Sequence, residues 1–192
     1  MADFKVEPTD KGLAYWRSRP FIGEDVRRHL SQASVLVVPQ EGFRDVSEPL
    51  FPAGTEELLA HLRDVIPAEI GIDICIEDGA YRELALHSDL LILAALVVRD
   101  IACNLVASGI YDYLKARLGS RAKNTNVRFQ MTVEHDSGHE RRAAVISYEG
   151  PVEGFQDTLQ KAILSAQEPV ARADVPKPPR LPGRKRAARE RH

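Results

Sequence analysis

His135, Asp136 and His139 form an H-D-x-x-x-H run, and two imidazoles beside a carboxylate are a donor set that suits a divalent metal. Holding a metal at that spacing needs backbone that aligns the two rings. The run instead sits in a connector with turn chemistry, His135-Asp136-Ser137-Gly138-His139, where a solvated turn accounts for the same residues, so no metal ligand is expected. Tyr81, Glu83, His87 and Asp89 can line a polar cleft ahead of a long apolar stretch, although helix capping and surface polarity explain them equally. Asp73, Glu77 and Asp78 lie on or just after the most regular strand pattern, at the strand-end position where α/β proteins hold ligands. Cys75 and Cys103 stand in apolar surroundings outside any nucleophile motif and read as buried free thiols of a reducing compartment. Gly42, Gly54 and Gly71 are isolated, so there is no glycine-rich phosphate loop. Ser137-Gly138 joins two strands with no following helix, which excludes a nucleophile elbow. No catalytic residue and no cofactor is expected, and the balance leans away from an enzyme.

The elements that position these residues follow from periodicity. Residues 34–38 (SVLVV), stopped by Pro39, predict a short buried strand. Thr55 suits a helix N-cap, Glu56 and Glu57 suit a first turn, and Leu58, Leu59, Leu62, Val65 and Ile66 then make one helical face ended by Pro67. Residues 70–77 (IGIDICIE) alternate strictly, with isoleucine at every second position. Residues 127–134 and 143–148 predict an antiparallel hairpin, and Phe155, Leu159, Ala162 and Ile163 recur at helical spacing. A short helix is expected over 23–30, with acids at its start and bases near its end. Residues 1–22 show no clear period and predict an irregular arm that packs Tyr15, Trp16 and Phe21 on the body.

The longest apolar stretch, residues 89–118, carries Arg99, Asp100, Asn104, Asp112 and Lys115. Ser88 or Asp89 caps it and Gly119 ends it, which predicts one long central helix. A membrane span needs roughly twenty apolar residues, and Arg99 and Asp100 near its centre each cost about 2.5–3.5 kcal/mol on insertion. A core helix of a water-soluble domain is therefore favoured. Leu90, Leu93, Val97 and Ile101 form its candidate interaction surface, because a helix apolar all round needs cover on every side. The expected fold is α/β (α+β): a two-layer sandwich, with a mixed sheet of about four strands and helices on one face. Residues 23–166 make this single domain. Residues 167–192 hold eight Lys or Arg against three acids, so a net charge of −2 overall leaves about −7 on the remainder. That Pro- and Arg-rich tail is expected to be disordered. Arg184, Lys185, Arg186, Arg189 and Arg191 can contact phosphates of nucleic acid or anionic lipid, without sequence preference because no aromatic accompanies them.

The small-residue-rich segment ending in Tyr113-Leu114-Lys115-Ala116-Arg117, followed by a strand hairpin, resembles the small effector-associated adaptor modules of bacterial conflict and signalling systems. The resemblance covers residues 89–163. It implies a non-enzymatic module that brings proteins together through homotypic contacts. Nineteen arginines against seven lysines fit a GC-rich bacterial gene. Met1–Pro8 lacks a cationic start followed by an apolar core, so a cytoplasmic location is expected. The leading expectation is a self-associating or partner-binding adaptor using the apolar helix 90–114. A small-ligand sensor or enzyme near Asp73, Glu77 and Asp78 is the first alternative. A membrane-associated protein using the helix and the basic tail is the second.

Overall fold

A computed structural model describes residues 3–41, 48–85, 90–136 and 141–167. Its centre is a mixed seven-stranded sheet built from β1 (Asp3–Thr9), β2 (Val35–Val38), β4 (Ile72–Ile74), β6 (Leu90–Ile92), β7 (Ala95–Arg99), β8 (Asn126–Asp136) and β9 (Arg141–Pro151). The strand order is β1-β9-β8-β7-β2-β4, with β6 paired to the first part of β8. Two helices join parallel neighbours. α3 (Thr55–Val65) links β2 to β4, and α4 (Cys103–Leu118) links β7 to β8. β8 and β9 form the expected hairpin, in register from Asn126 opposite Pro151 to Asp136 opposite Arg141. β3 (Phe51–Pro52) and β5 (Glu83–Leu84) make a separate parallel pair beside α3.

The alternation of β8 sorts its side chains. Val127, Phe129, Met131 and Val133 enter the main core, and Arg128, Gln130 and Glu134 face the other way. That core lies under α3, α4 and α5 (Phe155–Gln167), where Phe155 meets Phe129 and Tyr148 edge-on at 5.8 and 5.0 Å. β2 is buried on both faces: Val35 and Val37 join the main core, while Leu36 and Val38 join a second one. This second core is built by α1 (Leu13–Arg17) and α2 (Glu24–Leu30) through Leu13, Trp16 and Leu30. The sheet is therefore covered on one face completely and on the other in part, a correction to two layers with about four strands. Residues 3–22 pack Tyr15, Trp16 and Phe21 on the body as expected but are not irregular, since β1 is an edge strand and α1 a roof. Phe4 and Val6 are the only two apolar residues of β1 besides Pro8, too few to show a period.

The long helix is corrected as well. Residues 90–92 and 95–99 are strand, and the helix runs over 103–118, flanked by 3-10 turns at Asp100–Ala102 and Gly119–Asn124. An unbroken apolar run has no period, and a strand buried on both faces reads like a buried helix. β6 and β7 are one strand with a bulge. Ile92 pairs with Arg128 and Leu96 with Met131, so three residues (93–95) stand opposite two (129–130). The extra residue shifts the parity, which lets Leu91 before the bulge and Leu96 and Val98 after it face the same core. Gly119, at φ +53°, ends α4 as expected.

The start of α3 departs from expectation in its chemistry. Thr55 Oγ1 donates to the Pro52 carbonyl at 2.5 Å instead of capping. The Glu83 carboxylate, arriving from β5, accepts the N–H groups of Gly54, Thr55 and Glu56 at 3.2, 3.0 and 3.3 Å. Burial pushes Glu83 upward, but hydrogen bonds from the Tyr81 hydroxyl and from these amides together hold its carboxyl below the usual range.

Candidate functional site

α3 and α4 pack antiparallel around Gly109. A Cβ on Gly109 would lie 2.9 Å from Leu62 Cδ2 and 3.2 Å from Val65 Cγ2, so a larger residue there requires these side chains or the helices to shift. Further along the pair, Tyr113 donates to the Gly54 carbonyl at 3.2 Å, and Arg117 Nη1 meets Glu57 Oε2 at 2.9 Å. The stripe that carries Gly109 continues toward the start of α4 through Leu105 and, one turn before it, Ile101. Here the packing runs out. Val65 is 48% exposed, Leu105 42% and Ile101 78%, and these three aliphatic side chains share one end of the α3–α4 pair. Single exposed apolar residues are ordinary on a monomer, whereas larger contiguous apolar patches are a general feature of contact faces.

Of the four residues expected to form an apolar helical face, only Ile101 belongs to this patch. Leu90 is half-buried on β6, Leu93 is buried in the main core at the bulge, and Val97 is buried in the second core on the opposite side of the sheet. Spacing of three residues aligns side chains on a helix and separates them on a strand, and the bulge at 93–95 separates Leu93 from Val97, which an unbroken strand would align. Val65, expected on the buried face of α3, is exposed, whereas its neighbour Ile66 is buried. Leu105 was hidden because its phase depends on a helix that begins at 103 and not at 89.

The acidic residues divide between two places. Asp73 and Asp78 line one groove of about 440 Å³ with Arg63, Glu56 and Tyr81, and Asp73 Oδ1 takes Arg63 Nη2 at 3.2 Å and the Ile74 N–H at 2.8 Å. Glu77 points away from that groove, toward Gly23 at the start of α2. The Tyr81 hydroxyl donates to Glu83 at 2.6 Å, and burial first, then that bond, raises it far above an ordinary phenol. His87 and Asp89 lie outside the described residues. So does His139, and its expected companions take other partners: His135 Nδ1 lies 2.5 Å from Asp100 Oδ2, and Asp136 Oδ2 accepts Arg141 Nε at 2.9 Å. Among the described residues no group of three metal-ligating side chains converges. Cys75 and Cys103 are free and fully enclosed, and burial pushes each thiol up to about 12. No helix among the described residues is long and apolar enough to cross a membrane. The tail residues Arg184, Lys185, Arg186, Arg189 and Arg191 lie outside the described residues.

No family model, curated protein or solved structure matches this chain.

Proposed function

We propose that the protein is an interaction module that self-associates through the patch formed by Val65, Ile101 and Leu105. The observation that carries the reading is the 78% exposure of Ile101, four residues before the exposed Leu105 on α4, with the exposed Val65 at the adjoining end of α3. Burying an aliphatic side chain of this size stabilises a complex by about 1.5–3 kcal/mol, so leaving three in water costs more than scattered surface residues do. A second copy of the same chain is the occupant that the resemblance to bacterial adaptor modules implies.

Sedimentation velocity across a wide concentration range tests the reading. The full chain is expected to show a reversible monomer–dimer equilibrium. Leu105→Asp, at an exposed position that leaves both cores intact, is expected to sediment as a folded monomer. A wild-type protein that stays monomeric at every concentration overturns the proposal.

A further inference from the structure

The groove of about 440 Å³ that holds Asp73 and Asp78 runs between α3 and β4, the strand at one edge of the sheet. α3 lines it with one face, Glu56, Leu59, Ala60 and Arg63, at the three- and four-residue spacing of a helix. Leu59 and the half-buried Ile74 carry the margin of the main core into the groove, and Tyr81, stacked on Phe51 at 5.1 Å, lines it too. Its charge is one-sided. Asp73 is answered by Arg63, but Glu56 and Asp78 are exposed and make no ion pair among the described residues. Three carboxylates against one guanidinium leave the described lining at −2. An apolar floor beside unanswered carboxylates is complementary to an occupant that is cationic and apolar at once.

Such a segment is part of this chain. Residues 176–186 (PKPPRLPGRKR) hold four prolines, Leu181 and five bases with no acid, in a tail that carries +5 against about −7 on the rest. Proline fixes φ near −65° and favours the polyproline helix, with three residues per turn and about 3.1 Å of rise each. That geometry sets Pro176, Pro179 and Pro182 on one edge, Pro178 and Leu181 on a second, and Lys177 with Arg180 on the third. Two apolar edges then meet the floor while the basic edge meets the carboxylates. Lys177 and Arg180 stand about 9 Å apart along this axis, close to the roughly 10 Å that α3 rises from Glu56 to Arg63. Proline-rich segments dock in aromatic and apolar grooves with little chain entropy left to lose.

Reach is sufficient. α4 packs against both α5 and α3, and neighbouring helix axes lie about 8–10 Å apart, which puts α5 about 20 Å from α3. The chain from Gln167, at the end of α5, to Pro176 spans up to about 30 Å when extended. A tether of this kind holds its segment at millimolar effective concentration, so individually weak contacts fill the groove. We propose that the chain's own segment 176–186 docks in the groove between α3 and β4.

Cys75 and Cys103 are the only cysteines and both are enclosed, so an added cysteine is labelled selectively. Ala187→Cys, one residue past the segment, carries a nitroxide in the full chain, and backbone amides of dilute protein are followed by NMR. Broadening is expected at Ala60, Ile74 and Tyr81 and not at Leu105. Lys177→Glu with Arg180→Glu is expected to abolish it; these tail positions lie outside both cores, so the loss is not an unfolding effect. Asp78→Lys, at an exposed position, is expected to reduce it from the side of the groove. Four results overturn the proposal: no broadening at those three amides, undiminished broadening in the Lys177→Glu, Arg180→Glu variant, an equal loss from Arg189→Glu with Arg191→Glu, which would reduce the contact to net charge, or equal broadening with nitroxide and observed nuclei on different copies, which would give the groove to a neighbour's tail. A monomeric wild type leaves the proposal standing, because Ile101 and Leu105 are not part of the groove.

Discussion

Ile101→Ala separates a contact face from an incidental exposed side chain, and its size follows from the exposure of the residue. The substitution deletes three carbons, worth about 0.8 kcal/mol each when fully buried, or about 2.4 kcal/mol. Because 78% of Ile101 is accessible in the isolated chain, nearly all of that gain remains to be realised on association, about 2 kcal/mol per copy. A two-fold contact counts it twice. The dimer should therefore weaken by about 4 kcal/mol, which is between a hundred- and a thousandfold in dissociation constant at about 1.4 kcal/mol per decade. The monomer should barely notice: a surface truncation away from caps and cores stays within about 0.5 kcal/mol of wild type. Sedimentation equilibrium reads the first quantity and chemical denaturation of dilute protein the second. Leu164, 62% exposed on α5, supplies the control, since Leu164→Ala removes a similar side chain away from the α3–α4 seam and should leave the dissociation constant unchanged. The reasoning is refuted if Ile101→Ala and Leu164→Ala shift association equally, or if Ile101→Ala leaves it where it was.

Three further outcomes follow from the fold. Glu83→Ala leaves three amides at the start of α3 without their acceptor and should cost about 1–2 kcal/mol, the range for a lost helix cap, or roughly 2–8 °C in melting temperature for a chain of this size. The Glu83 carboxyl is held low in the folded state, so the charge-dependent part of this stability is complete above the ordinary carboxylate pKa of about 4.3. The gap between wild type and Glu83→Gln should then close as the pH falls through the folded-state value, as followed by urea unfolding at a series of acidic pH values. Gly109→Val forces a branched side chain between Leu62 and Val65 and should destabilise by about 1–3 kcal/mol, read from the urea midpoint. Cys75 and Cys103, enclosed and with thiols pushed up to about 12, should resist a thiol reagent at mildly alkaline pH and react only at the rate of unfolding.

How far the sequence could be read depended on whether each element had one buried face or two. α3, α5 and the β8–β9 hairpin each bury one face, so their polar and apolar residues alternate at a period that names the element. β7 buries both faces and β6 is half-buried at every residue, so the run Leu90–Val98 offers no period to distinguish strand from helix. That ambiguity carried the candidate surface with it, since Leu90 and Leu93 share a face only if the chain there is helical, and the bulge at 93–95 parts Leu93 from Val97. The cap on α3 was beyond local reading for a different reason: Glu83 lies 28 residues from Thr55, and only the parallel pairing of β3 with β5 brings it there.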